Sequence, residues 1–252
     1  MLGAFTRSVA RPMPKLPALP ELTKLPKLPT LCEVCRGWGQ DRVCPDCVAR
    51  FAQPQARCRC CALPLGLAAD RCGECLSDPP PFSRTFCAVN YRFPWDALLM
   101  QLKFHGHTEL AQPLAQELHA ALPASGVDAV VPVPLSPQRL AQRGYNQAWL
   151  LAQAVARLQR VPAWPDTLQR AVDTQQQTEL GRSARQRNLR AAFMVLPARR
   201  AAIAGKRLAL VDDVMTTGAT AREAAAALLR AGAADVQLWV VARTPADDAN
   251  NA

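Results

Sequence analysis

"RLALVDDVMTTGAT", Arg207 to Thr220, passes from an apolar run through two adjacent carboxylates into small hydroxylated residues around Gly218. An apolar run followed by a helical pattern reads as a buried strand feeding a helix, one step of a parallel α/β sheet. Asp212 and Asp213 then stand at the carboxyl end of that strand, where open α/β sheets bind ligands. Paired carboxylates there accept hydrogen bonds from a ribose diol and help organise a divalent cation. Thr216, Thr217, Gly218, Ala219 and Thr220 supply N–H groups and hydroxyls at a helix N-terminus, which is an anion cradle. Gly218 permits a tight backbone approach that a Cβ would obstruct. Carboxylates repel the anions that such a cradle attracts, so one ligand served by both carries hydroxyls or a metal at one end and phosphate at the other. A phosphorylated sugar fits. Taken singly, each half has a blander reading, a solvated strand end or an ordinary cap; it is their fusion that points to a site.

The pattern around this stretch alternates strands and helices. Residues 85 to 91 and the segments "DAVVPVP", "AAFMV", "RLALV" and "DVQLWVVAR" suit strands; "PWDALLMQLKF", "ELAQPLAQELHAAL", "GYNQAWLLAQAVARLQR" and "TAREAAAALLRAGA" suit helices, the last with Gly232 as its C-cap. The expected fold is a mostly parallel, doubly wound sheet covering residues 81–244, with residues 245–252 as a frayed tail.

Residues 1–30 alternate Pro, Leu and Lys and read as an extended, disordered basic leader. Half of the 252 residues are hydrophobic, enough for a full α/β domain and a smaller module. The formal charge of +10 favours an anionic partner, whether nucleic acid, nucleotide or phosphorylated metabolite. No apolar run reaches the length of a membrane span, and Arg and Pro interrupt any signal-peptide core, so the chain is expected to be cytoplasmic.

Residues 31–80 carry four CxxC pairs: Cys32 and Cys35, Cys44 and Cys47, Cys58 and Cys61, Cys72 and Cys75. Two such knuckles close a tetrahedral thiolate shell, so four imply two structural zinc ions; iron–sulfur clusters and redox thiols are the competing readings. Short loops favour sequential pairing, first with second and third with fourth, over an interleaved cross-brace. Cys60 competes with Cys58 and Cys61 but falls outside the CxxC spacing, and Cys87 reads as a core residue. Acidic and basic residues balance in this module, so its charge does not make it a polyanion clamp.

"ALVDDVMTTGAT" resembles the phosphoribosyl-diphosphate signature of type I phosphoribosyltransferases. Together with "VVPVPLSPQRLAQRGYNQA", "LKFHG" (Leu102 to Gly106), the spacing of Thr174, Gln177, Leu180, Arg185, Asn188 and Phe193, and the leading cysteine ribbons, the chain is similar to the ComF family of competence-associated, phosphoribosyltransferase-like proteins. The resemblance implies a type I phosphoribosyltransferase-like parallel sheet flanked by helices behind a double zinc ribbon. It places the ribose hydroxyls on Asp212 and Asp213, the 5-phosphate at Thr216 to Thr220, and the diphosphate at the turn after "VVPVP", with Arg139 and Arg143 as charge partners. Lys103 is a further candidate cation. The basic stretch from Arg170 to Arg190, which includes Arg185, is expected as a mobile hood over the diphosphate. Mg²⁺ would accompany the ligand. Three functions remain open: a transferase with an unidentified acceptor, a non-catalytic sensor of phosphoribosyl diphosphate, and a single-stranded-DNA-binding component working with other competence proteins in DNA uptake.

Overall fold

The computed structural model describes residues 28–66, 69–124, 126–170 and 192–245. Its centre is a four-stranded sheet of β3 (Arg84–Asn90), β4 (Ala129–Pro132), β7 (Arg207–Met215) and β8 (Asp235–Arg243), in spatial order β3-β8-β7-β4 and parallel throughout. Side chains alternate across a strand. Leu208 and Leu210 therefore join Val131, Leu238 and Val240 on one face, whereas Ala209 and Val211 join Val130, Trp239 and Val241 on the other. Both faces are covered, which is why these strands read as continuous apolar runs.

Helices Trp95–Phe104, Ala111–Ala120 and Gln147–Gln159 cover the second face, and helix Ala219–Arg230 covers the first. The chain leaves β4 toward helix Gln147–Gln159 and leaves β7 toward helix Ala219–Arg230, so neighbouring strands hand over to opposite faces. That switch opens a crevice at their carboxyl ends. Gly232, at φ +106°, follows the end of helix Ala219–Arg230 and its N–H donates to Leu229 O at 3.0 Å, as expected of a terminating glycine.

Two sequence expectations change. The segment "AAFMV" is not a strand of the parallel sheet: β6 (Phe193–Val195) pairs antiparallel with β5 (Leu168–Arg170), Leu168 opposite Val195 and Arg170 opposite Phe193. Each is three residues long; β6 turns alternate side chains, Phe193 and Val195, toward the core, and β5 turns Leu168. The apolar strand of the opening stretch also runs further, to Met215, so the two aspartates lie inside the ladder, with Asp212 opposite Val240.

The cysteine region is built as two copies of one device. In each, the first Cys N–H takes a carbonyl five residues on (Cys32 to Gly37 at 2.9 Å, Cys58 to Leu63 at 2.8 Å), and the residue after the second Cys adopts positive φ (Arg36 at 61°, Ala62 at 55°). In each, the third Cys caps a short helix, Pro45–Phe51 or Gly73–Ser77. The first copy, with β1 (Thr30–Leu31) and β2 (Trp38–Gly39), packs with Trp95 and Leu98. The second packs with Phe82 on the opposite face of the sheet.

Candidate functional site

The sequence-nominated groups that fall on described residues converge on the crevice beside β7. A cavity of about 310 Å³ is lined by Asp212, Asp213, Thr216, Thr220, Lys103, Arg139 and Arg143, with Tyr91, Gln147 and Arg170. A second, of about 480 Å³, shares Lys103, Arg139 and Arg143 and adds Phe104, Gln142 and Tyr145. Thr217, Gly218 and Ala219 line a narrower cleft of about 50 Å³ that also contains Asp212, Thr216 and Thr220. Arg185, with residues 171–190 of the expected hood and residues 1–27 of the expected leader, lies outside the described residues.

Strand alternation turns Asp213 toward the face carrying helix Trp95–Phe104, whose last turn brings Lys103 Nζ to 2.8 Å from Asp213 Oδ2. The Asp213 side chain is only 4% exposed, and its buried Oδ2 faces the Lys103 ammonium without a well-directed hydrogen bond among the described residues. Oδ1 is engaged by the Val214 N–H at 2.9 Å. Asp212 accepts from the Asp213 N–H at 2.9 Å. Burial, then the neighbouring Asp213 charge, push the Asp212 carboxyl well above the ordinary carboxylate range, against the opposing influence of that N–H and of Lys103.

The loop after β7 is fixed by Gly218 at φ +79°, which starts helix Ala219–Arg230. A Cβ there would stand 2.5 Å from Met215 Cε. The missing side chain thus lets the loop close onto Met215; it is the protein's own core, not a ligand, that the glycine admits. The first N–H groups of a helix lack carbonyl partners one turn earlier. Here the Ala219 N–H meets only Thr217 Oγ1, at 3.4 Å, leaving the loop's donors directed to an incoming anion.

Opposite the loop, the turn after β4 becomes helix Pro137–Arg143, with Ser136 accepting from the Arg139 N–H at 3.4 Å, Pro137 in the first turn, and Gly144 at φ +82° ending it. Arg139 and Arg143 are four residues apart and share one helical face. Arg143 donates to Gln147 Oε1 and lies over the Phe104 ring at 5.0 Å from its centroid. Burial draws its guanidinium below the usual range, opposed by Asp213. Two residues without an assigned sequence role acquire one: Tyr145 donates to Leu102 O, and Asn146 caps helix Gln147–Gln159 through the Ala148 N–H while donating to Val133 O. Both hold the crevice walls. Tyr91 and Gln147 carried no sequence signal, because only the packing of β3 and helix Gln147–Gln159 brings them to the cavity.

The cysteines form two groups, Cys32 with Cys35, Cys44 and Cys47, and Cys58 with Cys61, Cys72 and Cys75, each with its sulfurs within 4.8 Å of one another. Pairing is therefore sequential, and Cys60 stands outside both. The Cys44 N–H points at Cys32 Sγ at 3.4 Å and the Cys72 N–H at Cys58 Sγ at 3.3 Å. Burial opposes ionisation, yet backbone donors prevail and draw the thiols of Cys32 and Cys58 down to about 6 and about 7. All-thiolate tetrads with backbone N–H···S support fit structural zinc, with no position left for a substrate. Among the described residues no carboxylate cluster offers comparable ligation to Mg²⁺.

No family model matches the chain. It is 38% identical over 215 residues to "DNA utilization protein YhgH" of Salmonella typhi, covering 82% of this chain and 91% of that one. It is 32% identical to "Competence protein F" of Haemophilus influenzae, over 74% of this chain and 84% of the relative. "Competence protein ComFC" of Bacillus subtilis is 25% identical over 81% of this chain and 85% of its own. Among solved structures, a glutamine phosphoribosylpyrophosphate amidotransferase from B. subtilis, complexed with ADP and GMP, is similar at a TM-score of 0.38 and 21% identity, covering 52% of this chain and 26% of that one. No helix among the described residues is long and apolar enough to cross a membrane.

Proposed function

Since the chain belongs to the ComF family of competence and DNA-utilization proteins, we propose that its crevice binds phosphoribosyl diphosphate and that this binding serves the handling of incoming DNA. One observation carries the reading: Asp212, Asp213, the Thr216 and Thr220 loop, Lys103, Arg139 and Arg143 line a single cavity of about 310 Å³. The loop's N–H groups and threonine hydroxyls take the 5-phosphate. Asp213 and Asp212 take the ribose hydroxyls. Arg139, Arg143 and Lys103 face the diphosphate, and Mg²⁺ accompanying that ligand would offset part of its charge.

Such a site favours heterolysis at the anomeric carbon. The bonding electrons leave with the diphosphate, whose charge the three cations offset, while the positive charge left on the ribose ring faces Asp213. The described residues of this crevice supply groups suited to each part of the donor. The acceptor is supplied by another molecule, and a sensor of the donor uses the same residues without turnover. The two cysteine groups hold structural zinc.

The test is calorimetric titration of the zinc-loaded protein with phosphoribosyl diphosphate and Mg²⁺, beside the Asp212→Asn/Asp213→Asn variant. Saturable one-to-one binding lost in the variant is the expected result; equal heats in both proteins would remove the aspartates from the site. The relatives' names and the net charge of +10 favour a second ligand, single-stranded DNA. Its affinity should fall steeply with salt and survive the double Asp variant.

A further inference from the structure

The two cysteine groups are alike in construction but not in what they hold. Arg243, the last residue of β8, is 6% exposed. Its guanidinium meets three carbonyls: Nε donates to Cys61 O at 3.0 Å, and Nη1 donates to Met215 O at 3.1 Å and to Thr244 O at 2.6 Å. Cys61 belongs to the second thiolate group. Met215 immediately precedes the Thr216–Thr220 loop, and its side chain is the floor on which Gly218 rests. One buried cation therefore ties a knuckle backbone to the start of the loop.

A second tie lies just beyond the loop. Arg222, in the first turn of helix Ala219–Arg230, donates from Nη2 to Asp78 O at 2.8 Å and places Nη1 3.2 Å from Asp78 Oδ2. Asp78 closes helix Gly73–Ser77, which carries Cys75. The Arg222 N–H itself donates to Gly218 O at 2.9 Å. The loop is thus gripped on its entering side through Cys61 and on its leaving side through Asp78.

Among the described residues the first cysteine group has no such attachment. Its contacts run to the other face of the sheet, where Trp95 Nε1 donates to Phe51 O at 2.9 Å and Arg42 lies 3.6 Å from Glu109. Trp95 opens the helix that ends near Lys103, about two turns away from it.

We propose that the second cysteine group, Cys58, Cys61, Cys72 and Cys75, is a clamp that sets the conformation of the Thr216–Thr220 loop through Arg243 and Arg222, whereas the first group supports folding alone. Arg243 and Arg222 are positioning residues in this arrangement. A guanidinium suits the task because its fixed fork reaches carbonyls on separate segments at once, which a lysine ammonium does at one point only. The consequence for ligand affinity rests on the loop being the phosphate cradle; the clamp itself does not.

Amide hydrogen exchange of the zinc-loaded protein, read at Arg222 and Thr244, separates the two statements. Both N–H groups are bonded to the loop's ends, Arg222 to Gly218 O and Thr244 to Met215 O. Arg243→Gln should speed exchange at both by about tenfold or more, the worth of one hydrogen bond to a charged group. Zinc content should stay at two ions and exchange in β3 should be unaltered. Arg243→Lys should recover part of the protection. Arg222→Met, a substitution near the surface, should loosen the Arg222 amide without disturbing the core. Cys72→Ser/Cys75→Ser should reproduce the loop effect, and Cys44→Ser/Cys47→Ser should leave these two amides within about twofold of the unaltered protein. Unchanged exchange in both arginine variants, or equal loosening by the two cysteine pairs, would overturn the clamp. Phosphoribosyl diphosphate titrated into the same proteins should weaken in the same order; if the unaltered protein binds none while the exchange pattern holds, the donor reading fails and the clamp stands.

Discussion

Gly218→Ala tests the loop where its geometry is most constrained. The residue sits at φ +79° and ψ 2°, a left-handed conformation that costs an L-residue about 1–2 kcal/mol. The new Cβ would also stand 2.5 Å from Met215 Cε, so that side chain must move. Methionine has three rotatable bonds, and leaving its preferred rotamer costs about 0.5–1.5 kcal/mol. Together the substitution should destabilise the protein by about 1.5–3.5 kcal/mol. Urea unfolding of the zinc-loaded protein followed by tryptophan fluorescence measures it, because Trp239 is buried in the sheet. The two contributions separate in a Met215→Ala background. There the collision is gone, and the same substitution should cost only the backbone share, about 1–2 kcal/mol. Equal costs in the two backgrounds would show that Met215 is not the floor of the loop. A cost below about 0.5 kcal/mol in the unaltered background would show that the left-handed turn is not held at all.

Asp212→Asn should stabilise the protein at neutral pH. The native state holds this carboxyl well above its unfolded range, so from about pH 4 upward the native state binds more protons than the unfolded state, and stability falls as pH rises through the native pKa. The asparagine variant lacks that penalty; its advantage in thermal melting should be full above the native pKa and vanish toward pH 4, and a variant less stable than the parent at pH 7.5 would contradict it. Lys103→Met should cost about 2 kcal/mol in urea unfolding, less than for a fully buried pair because the lysine is 25% exposed and partly screened; no loss would mean that Asp213 does not depend on it. The protein should carry two zinc ions per chain by metal analysis, and Cys44→Ser/Cys47→Ser should carry one. Chelation should remove the ordered structure of helices Pro45–Phe51 and Gly73–Ser77, which at seven and five residues are too short to persist alone, with loss of helical circular dichroism as the readout.

Much of this was legible because its signals are local. A CxxC knuckle is a four-residue device, and the strand, acid pair and Thr-Thr-Gly turn of 207–220 are contiguous, so both were visible before any tertiary contact was known. Arg139, Arg143 and Lys103 were legible only through family resemblance, since an arginine on a short helix reads equally as a solvated face. What sequence could not show was set by contacts between distant segments. Residues 193–195 have the composition of a sheet strand, and only pairing with 168–170 removes them from the sheet. Arg243 ends an apolar strand and looks like an ordinary exposed terminus; its burial depends on Cys61, 182 residues earlier.

The two aspartates, adjacent in sequence, are made unlike by the strand that carries them. Alternation brings Asp213 to Lys103 and leaves Asp212, beside the loop cleft, with no cation so close among the described residues. Asp213 is a charge already compensated by Lys103; Asp212 is held toward its neutral form by burial and by its neighbour. A diol needs acceptors, and a ligand that brings hydroxyl donors or a cation into the crevice supplies what Asp212 lacks. The acidic pair and the basic rim therefore do not oppose each other. Under the proposed reading, the cations around the cavity draw a polyanion in, and the Asp212 carboxyl favours a polyanion that carries a sugar.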